Sequence, residues 1–560
     1  MEIIIAVVAV VVLFGIKIWY DEVHYKKRLR FRLEREWGMP SNQEYSQEKM
    51  QGIAAFFYAS QEEGDIDDIT WNDLELEAVY QQMNHTRSAM GQEYLYSLLR
   101  KPELTGEKLE ERERLISFFE ENKEKSMELQ MELSRLGKMG KFSVYSYLNN
   151  VNSMKKESSF PHILQMMALI GSVALCLVWP SYFIMIAIGI AIYNMVTYYQ
   201  RKAEMERYYQ LLAYILRTVH FAKDVSKLDI PELEGYLNTL SEKAKLFDGF
   251  CRESGLVVGG ANMSGDLLDT LMDYIRLLTH IDIIKFQSMA REAIRLEKDL
   301  MVLYETIGFM DSMVALASYR TMMQEFCIPQ LHNQQKNKNS LKLTVEKMYH
   351  PLLEEPVKNS IDAKGCVLLT GSNASGKSTF IKTVAINAIL AQTIHTVLAD
   401  SYEANYFRIY SSMALRDDIM SSESYYIVEI KSLKRILDQA QKAGAPVLCF
   451  IDEVLRGTNT VERIASSSQI LMMLAKSHTM CFAATHDIEL TNMLEAAYDN
   501  YHFEEKVEGN DVIFDYQLRT GKALTRNAIK LLGMIGYQQD IIQKAEDSVQ
   551  HFLETGDWKL

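Results

Sequence analysis

The stretch Thr370-Gly-Ser-Asn-Ala-Ser-Gly-Lys-Ser-Thr379 decides the fold of the C-terminal part of this 560-residue chain. The apolar run Gly365-Cys-Val-Leu-Leu-Thr370 precedes it and Phe380-Ile-Lys-Thr-Val-Ala-Ile386 follows, so strand, glycine-rich turn and helix come in that order. A phosphate-binding loop needs this context. Backbone N–H groups of Gly371, Ser372, Asn373, Ala374, Ser375 and Gly376 can wrap an anion at the positive end of the helix. Lys377 would reach the β- and γ-phosphates of ATP and the Ser378 hydroxyl would ligand Mg²⁺, with Thr379 completing the nucleotide-binding set.

Downstream, Val447-Leu-Cys-Phe-Ile-Asp452-Glu453 reads as a buried strand ending in two carboxylates. Asp452 can join the Mg²⁺ shell and Glu453 can act as general base on an attacking water. A carboxylate pair can also merely cap a sheet edge; behind a phosphate loop and a run of apolar residues, the catalytic reading is preferred. Thr479-Met-Cys-Phe-Ala-Ala-Thr-His486 is a second buried strand, ending in a histidine. A lone histidine is usually structural, but at this place in the order it would contact the γ-phosphate.

Upstream the composition changes. Residues Ile3 to Tyr20 read IIIAVVAVVVLFGIKIWY, long enough to cross a hydrocarbon core, with Trp19 and Tyr20 as interfacial anchors. A cleaved signal is the rival reading, disfavoured by Glu2 and the lack of a small-residue cleavage site. The basic run Lys26, Lys27, Arg28, Arg30, Arg32 and Arg35 then places the bulk of the chain in the cytoplasm and suits lipid head groups. Ile163 to Trp179 and Tyr182 to Tyr199 form a second apolar block around Pro180-Ser181, flanked by Lys155, Lys156, Arg201 and Lys202. This predicts a transmembrane hairpin, against a buried hairpin in a soluble domain as the competing reading. Between the apolar blocks, Thr70 to Leu136 has helical spacing punctuated by Gly91 and Pro102; Ala203 to Cys327 reads as long helices broken at Gly255 to Gly260. A polar linker, Leu331 to Ser340, leads into the nucleotide-binding part.

Bulk properties set bounds. A length of 560 residues implies two or three domains. The net charge of −14 leaves no global basic footprint, so a nucleic-acid contact would need a local positive surface. The six cysteines are scattered without a C-x-x-C pair, which fits a reducing compartment and free thiols.

Together these residues resemble the ATPase domain of the MutS family of DNA mismatch-repair proteins. The resemblance runs through His350-Pro-Leu-Leu353, the phosphate loop, Ser424-Tyr-Tyr-Ile-Val-Glu-Ile430, Ile451 to Thr460, Ala484-Thr-His486, Glu489-Leu-Thr491 and Thr525 to Leu532, with thinner traces in Trp71 to Pro102 and Tyr304 to Ser318. It implies an α/β P-loop NTPase domain of the ABC/MutS type beside an all-α core and lever domain, here with transmembrane helices. It also implies His350 among the nucleotide-binding residues and an ABC-type homodimer, in which Ser424 would donate to the γ-phosphate across the interface and the Arg456 to Thr460 turn would lie at it. The family's usual loop Pro is Ser372, its Met-Gly pair is Ala374-Ser375, and the Gly of its signature segment is Ser422. Those departures bear on activation across the interface more than on nucleotide binding.

The expected order is an anchor over 1–20, a basic segment over 21–65, helical core and lever over 66–160, the hairpin over 161–200, further lever over 201–340, the ATPase domain over 341–535 and a C-terminal helix over 536–560. The expected location is the inner membrane, with about three spans, the N-terminus outside and the ATPase domain cytoplasmic. The family's mismatch-sensing wedge and DNA clamp have no counterpart in the sequence, and the hairpin takes roughly the clamp's place in the order. Two functions follow: a membrane-anchored ATPase that keeps the link to mismatched or branched DNA, or an ATP-driven motor or scaffold acting on a membrane partner without DNA. A degenerate ATPase kept as a switch is a third. ATP and Mg²⁺ are the cofactors; a second copy, membrane lipid, DNA and an unidentified membrane protein are the candidate partners.

Overall fold

Helical spacing in the N-terminal half becomes helices, and the alternating pattern after residue 340 becomes sheet. In the computed structural model the described residues are 2–558, apart from 42, 139–142, 154–157, 255–266, 334–340, 373–374, 414–424, 456–457, 509–510, 524–528, 530–531 and 533–535. The chain divides into two compact units. One comprises Met1–Ser60, Asn84–Ser97 and Leu115–Ser318; the other comprises Gln61–Met83, Leu98–Arg114 and Tyr319–Leu560.

The first unit is helical among its described residues. Its helices include Glu2–Glu36, Gln47–Ala59, Lys123–Leu136, Phe160–Cys176, Pro180–Val225 and Ile281–Arg295, with the larger parts of Ala89–Arg100 and Glu297–Met323. Two glycines let the last two helices approach closely. A Cβ on Gly91 would stand 2.1 Å from Asp311 Oδ2, and one on Gly308 would stand 2.7 Å from Tyr94 Cβ and 3.0 Å from the Met90 carbonyl oxygen. Gly91 therefore does not punctuate a helix, as its residue type predicts, but lies inside one; helix-breaking propensity yields to the gain from packing. Pro102 does stand just past the end of that helix, at Arg100. Asp311, buried, accepts from the backbone N–H groups of Arg87 (2.9 Å) and Ser88 (2.7 Å) and from Ser88 Oγ (2.6 Å), capping the Ala89–Arg100 helix.

A second buried carboxylate, Glu93, accepts from Val144 N (2.6 Å), Tyr145 N (3.0 Å) and Tyr304 Oη (2.8 Å). Burial nevertheless pushes its carboxyl up from 4.5 to about 7. Between those values the folded protein holds a proton that the unfolded chain has released, so this contribution is present below the lower value and lost as pH rises through the upper. Glu93→Gln, which mimics the neutral acid, should leave the Tm near about pH 5 almost unchanged and reduce the fall in Tm between about pH 5 and 8. Thermal scans in which that fall keeps its full size would exclude Glu93 as a source of it.

Among the described residues, Pro180–Lys202 and Glu297–Met323 are long and apolar enough to cross a membrane by length and composition. Glu297–Met323 is mostly covered by its surroundings, whereas Pro180–Lys202 is mostly uncovered, with Tyr182, Met185 and Tyr193 all exposed. Phe160–Cys176, its neighbour in sequence and in space, is apolar and shorter, and also exposes Leu164, Met167 and Val173. The segment predicted to end at Tyr199 belongs to a helix of 46 residues that runs on to Val225. Pro180 is tolerated in its first turn, where an N–H has no intrahelical partner, and nothing in Gln200 to Val225 breaks a helix. The Ile3 to Tyr20 run lies in the 35-residue helix Glu2–Glu36.

The second unit carries the strands: β1 (Gln330–His332), β2 (Leu343–Met348), β3 (Asn359–Ala363), β4 (Cys366–Thr370), β5 (Ser401–Asn405), β6 (Arg408–Ser412), β7 (Val447–Asp452), β8 (Thr479–Ala484), β9 (Tyr498–His502), β10 (Glu505–Glu508), β11 (Asp511–Phe514) and β12 (Arg519–Thr520). The main sheet has the order β12-β9-β4-β8-β7-β6; it is parallel from β9 to β6, with β12 antiparallel at the edge. A smaller sheet, β1-β5-β2-β3, and the hairpin β10-β11 complete it. The central strands read as continuous apolar runs because every residue of β4, β7 and β8 is buried. Cys366, Cys449 and Cys481 are buried core residues there, as their apolar settings predict. The start of the predicted linker, Leu331 and His332, belongs to β1, while 334–340 lie outside the described residues.

Candidate functional site

Strands β4, β8 and β7 are neighbours and parallel, so their C-terminal ends bring three separate pieces of sequence to one edge. The phosphate loop leaves β4, His486 follows β8, and Glu453 follows β7. These residues meet at a cavity of about 470 Å³, lined by Ser375 to Phe380, Glu453 and His486 on one side and by His350, Leu353, Pro356 and Val357 on another.

The loop ends at Gly376, whose φ of 104° lies in the left-handed region; a side chain there would also come 3.1 Å from Tyr516 Cδ1. The Lys377–Thr393 helix starts directly after it, with its N-terminus at the cavity. Ser375 Oγ is buried and has no hydrogen-bond partner among the described residues, an orphan that a phosphate oxygen would satisfy. Lys377 donates to the carbonyls of Gly371 (2.9 Å) and Ser372 (2.8 Å), so its ammonium is held inside the loop. Asn373 and Ala374 lie outside the described residues; Ser378 and Thr379 line the cavity, whereas Gly371 and Ser372 are not among its lining residues. Asp452, buried at the end of β7, and Ser378, in the first helical turn, offer oxygen donors, which is the hard-ligand chemistry Mg²⁺ takes.

Glu453 has a φ of 58°, rare for a residue with a side chain, while its N–H still bonds the Ala484 carbonyl at 3.0 Å. The turn swings its carboxylate off the strand direction and toward the cavity, where Oε1 lies 2.8 Å from His486 Nε2. An acceptor carboxylate and an imidazole side by side at the end of a phosphate cradle can take a proton from water and orient it. His350 is mostly buried, and burial, with Lys382 nearby, lowers its imidazole to about 4; it is neutral, with Nδ1 accepting from Leu352 N–H at 3.2 Å. A neutral ring among Leu353, Pro356 and Val357 makes a flat apolar wall suited to a base.

Several supporting residues have no signature in the sequence. Arg463 clamps Asp487 through two bonds (2.6 and 3.1 Å) and so fixes the loop that carries His486. Glu429, buried in the Tyr425–Ala440 helix, accepts from Leu455 N–H at 2.5 Å, two residues past Glu453. Ser372 Oγ donates to Glu505 Oε2 at 2.8 Å. Asn359 holds the carbonyl of Tyr516 (2.9 Å) and the N–H of Leu518 (2.7 Å), which seats Tyr516 against Gly376. Glu429 alone has a local cue, since it falls inside the MutS-like Ser424 to Ile430 segment; the other pairs are distant in sequence. Ser424 and Arg456 lie outside the described residues, as does most of Thr525 to Leu532.

Residues 367–553 match the family model for MutS domain V. The C-terminal domain belongs to the MutS family. Over 221 residues, 37% of this chain and 27% of the relative, it is 34% identical to the DNA mismatch repair protein MutS of Pseudothermotoga lettingae. It is 30% identical over 201 residues to that of Thermus thermophilus, covering 35% of this chain and 24% of the relative. With the MutS protein of a Thermotoga species the similarity extends over 275 residues, 47% of this chain and 33% of the relative, at 28% identity. The chain thus spans about a quarter to a third of the length of these MutS relatives.

Proposed function

We propose that this chain is a membrane-anchored ATPase of the MutS type, which binds ATP in the 371–379 cradle and hydrolyses it with Glu453 as general base. The observation that carries the reading is the Glu453–His486 pair, 2.8 Å apart, at a cavity that Ser375 to Thr379 also line. Lys377 and the Ser375 hydroxyl would hold phosphate oxygens, and His350 with its apolar neighbours would bound the base. Mg²⁺, held by Ser378 and Asp452, would neutralise charge on the phosphates. Glu453 would accept the water's proton while His486, kept in place through Asp487 and Arg463, orients the carboxylate. The site is completed by a second copy that presents Ser424, and the nucleotide-dependent dimer moves the helical unit as a lever.

The membrane reading rests on the exposed apolar faces of Phe160–Cys176 and Pro180–Lys202, and on the apolar run in the first helix. In this arrangement the chain sits in the inner membrane with about three spans and its ATPase domain in the cytoplasm. The role that the relatives' names carry, DNA mismatch repair, makes mismatched or branched DNA the first candidate partner. A second reading, a motor or scaffold acting on a membrane protein without DNA, is favoured by the −14 net charge and by the exposed hairpin. Gel-shift titration of the detergent-solubilised chain with mismatched, branched and perfect duplexes separates the two. The first reading expects binding to the mismatched or branched duplex that weakens at least about tenfold between 50 and 200 mM salt. No binding at the lower salt, with ATP turnover intact, leaves the second.

A further inference from the structure

The helical unit holds a second cavity, of about 750 Å³, unconnected with the phosphate loop in sequence. Its wall gathers basic side chains from three separate stretches: Arg35 from the last turn of the Glu2–Glu36 helix, His85 and Arg87 from the turn before Ala89, and Lys138 from beyond the Lys123–Leu136 helix. One carboxylate, Glu36, also lines it and bonds Arg87 Nη1 at 2.5 Å. Arg87 is further fixed through Nε to Gln130 Oε1 (2.9 Å), and Lys138 donates to Gln43 Oε1 at 2.8 Å. With Glu36 balancing Arg87 and Asp311 partly offsetting Lys138, positive charge remains in excess around the cavity within a chain of net charge −14.

Structural need alone explains this cluster poorly. Like charges around one hollow repel, and taking ammonium and imidazole out of water costs free energy. The strain shows in the groups themselves. Burial brings Lys138 down to about 7, even though part of its side chain still meets solvent, with Asp311 and Glu36 only partly offsetting it. His85 is held at about 4 by burial, then by Arg87 and Lys138. Its Nε2 is buried and has no hydrogen-bond partner among the described residues. An arriving polyanion would relieve the repulsion, restore full charge to Lys138 and find directional donors in the guanidinium groups.

The geometry points to a second ligand site, one that takes a small phosphate-bearing anion between Arg35, Arg87, His85 and Lys138. A cavity of this size fits a nucleotide or sugar phosphate. A phosphorylated lipid head group offers the same chemistry. From Tyr20, where the proposed first span would end, to Arg35 the helix rises roughly 22 Å, which sets the cavity back from the bilayer and favours a free solute.

The test uses the full chain in phosphatidylcholine nanodiscs, with Lys377→Ala to silence the phosphate loop, and pyrophosphate as the calorimetric probe. Saturable binding is expected, weakened about tenfold or more by Lys138→Met and by Arg35→Gln. Arg35 is exposed at a helix end, so its replacement should not unfold the protein if Lys138→Met does. No saturable binding, or an affinity that neither variant changes, overturns the proposal. Binding confined to vesicles containing phosphatidic acid, with none to free pyrophosphate, overturns the solute assignment, and displacement of pyrophosphate by duplex DNA at equal phosphate overturns the small-anion assignment.

Discussion

Glu453→Gln is expected to lower ATP turnover about 10² to 10⁴-fold while leaving nucleotide affinity within a few-fold of the parent. The amide oxygen can still accept from His486 Nε2, so the 2.8 Å contact and the left-handed turn at residue 453 are kept and only the basicity is removed. Steady-state phosphate release measures the first quantity, and equilibrium binding of a fluorescent ATP analogue the second. His486→Ala should act through the same carboxylate and cost less, because it loosens the base without deleting it. Arg463→Met should resemble His486→Ala, since its loss frees the Asp487 loop that carries the imidazole. If Glu453→Gln turned over at the parent rate, the carboxylate would be a structural cap of β7 and another base would have to be sought.

The largest expected effect on stability is at Gly91. Alanine there must drive Asp311 out of its place, since its Cβ would stand 2.1 Å from Oδ2. Two buried donors, Ser88 N and Ser88 Oγ, and the half-buried Arg87 N then lose their acceptor. At about 1–3 kcal/mol for each unsatisfied buried group, a loss of about 3 kcal/mol or more follows. For a unit of this size the Tm should fall by about 10 °C, measured by circular dichroism in detergent. Gly235→Ala, with open space around its Cβ, should show no such loss. In an Asp311→Ala background the Gly91→Ala penalty should shrink, because both changes remove the same bonds. A full, additive penalty there would place the cost elsewhere than in the cap.

The parts of the site that were legible in the sequence are those written within a few consecutive residues. Glycine spacing, a lysine and a hydroxyl announce the phosphate loop because one backbone turn makes all the contacts. Asp452, Glu453 and His486 were legible because continuous apolar strands in a parallel sheet end at one edge, so position after the strand fixes position in space. Arg463 with Asp487, and Ser372 with Glu505, were not legible: each pair joins distant segments, and surface-type residues carry no periodicity to betray them. Gly91 misled for the opposite reason, since a glycine that permits close helix packing has the same letter as one that ends a helix. In the second apolar block hydrophobicity marks where the apolar span stops at Tyr199 but not where the helix stops, because backbone hydrogen bonding continues to Val225 regardless of what solvent the side chains meet.

Glu429 has a consequence for how the cavity communicates with its surroundings. Its carboxylate, in the helix that begins at Tyr425, holds the peptide N–H of Leu455, which like Glu453 has a left-handed φ. Any displacement of that helix therefore alters the free energy of the backbone that aims the base. Thermodynamic linkage makes this a two-way relation: if docking at the start of the helix changes the affinity for nucleotide by some factor, nucleotide must change the affinity for docking by the same factor. Glu429→Gln, which keeps an acceptor but not its charge, should shrink that factor, and by the same amount whichever of the two ligands is titrated first.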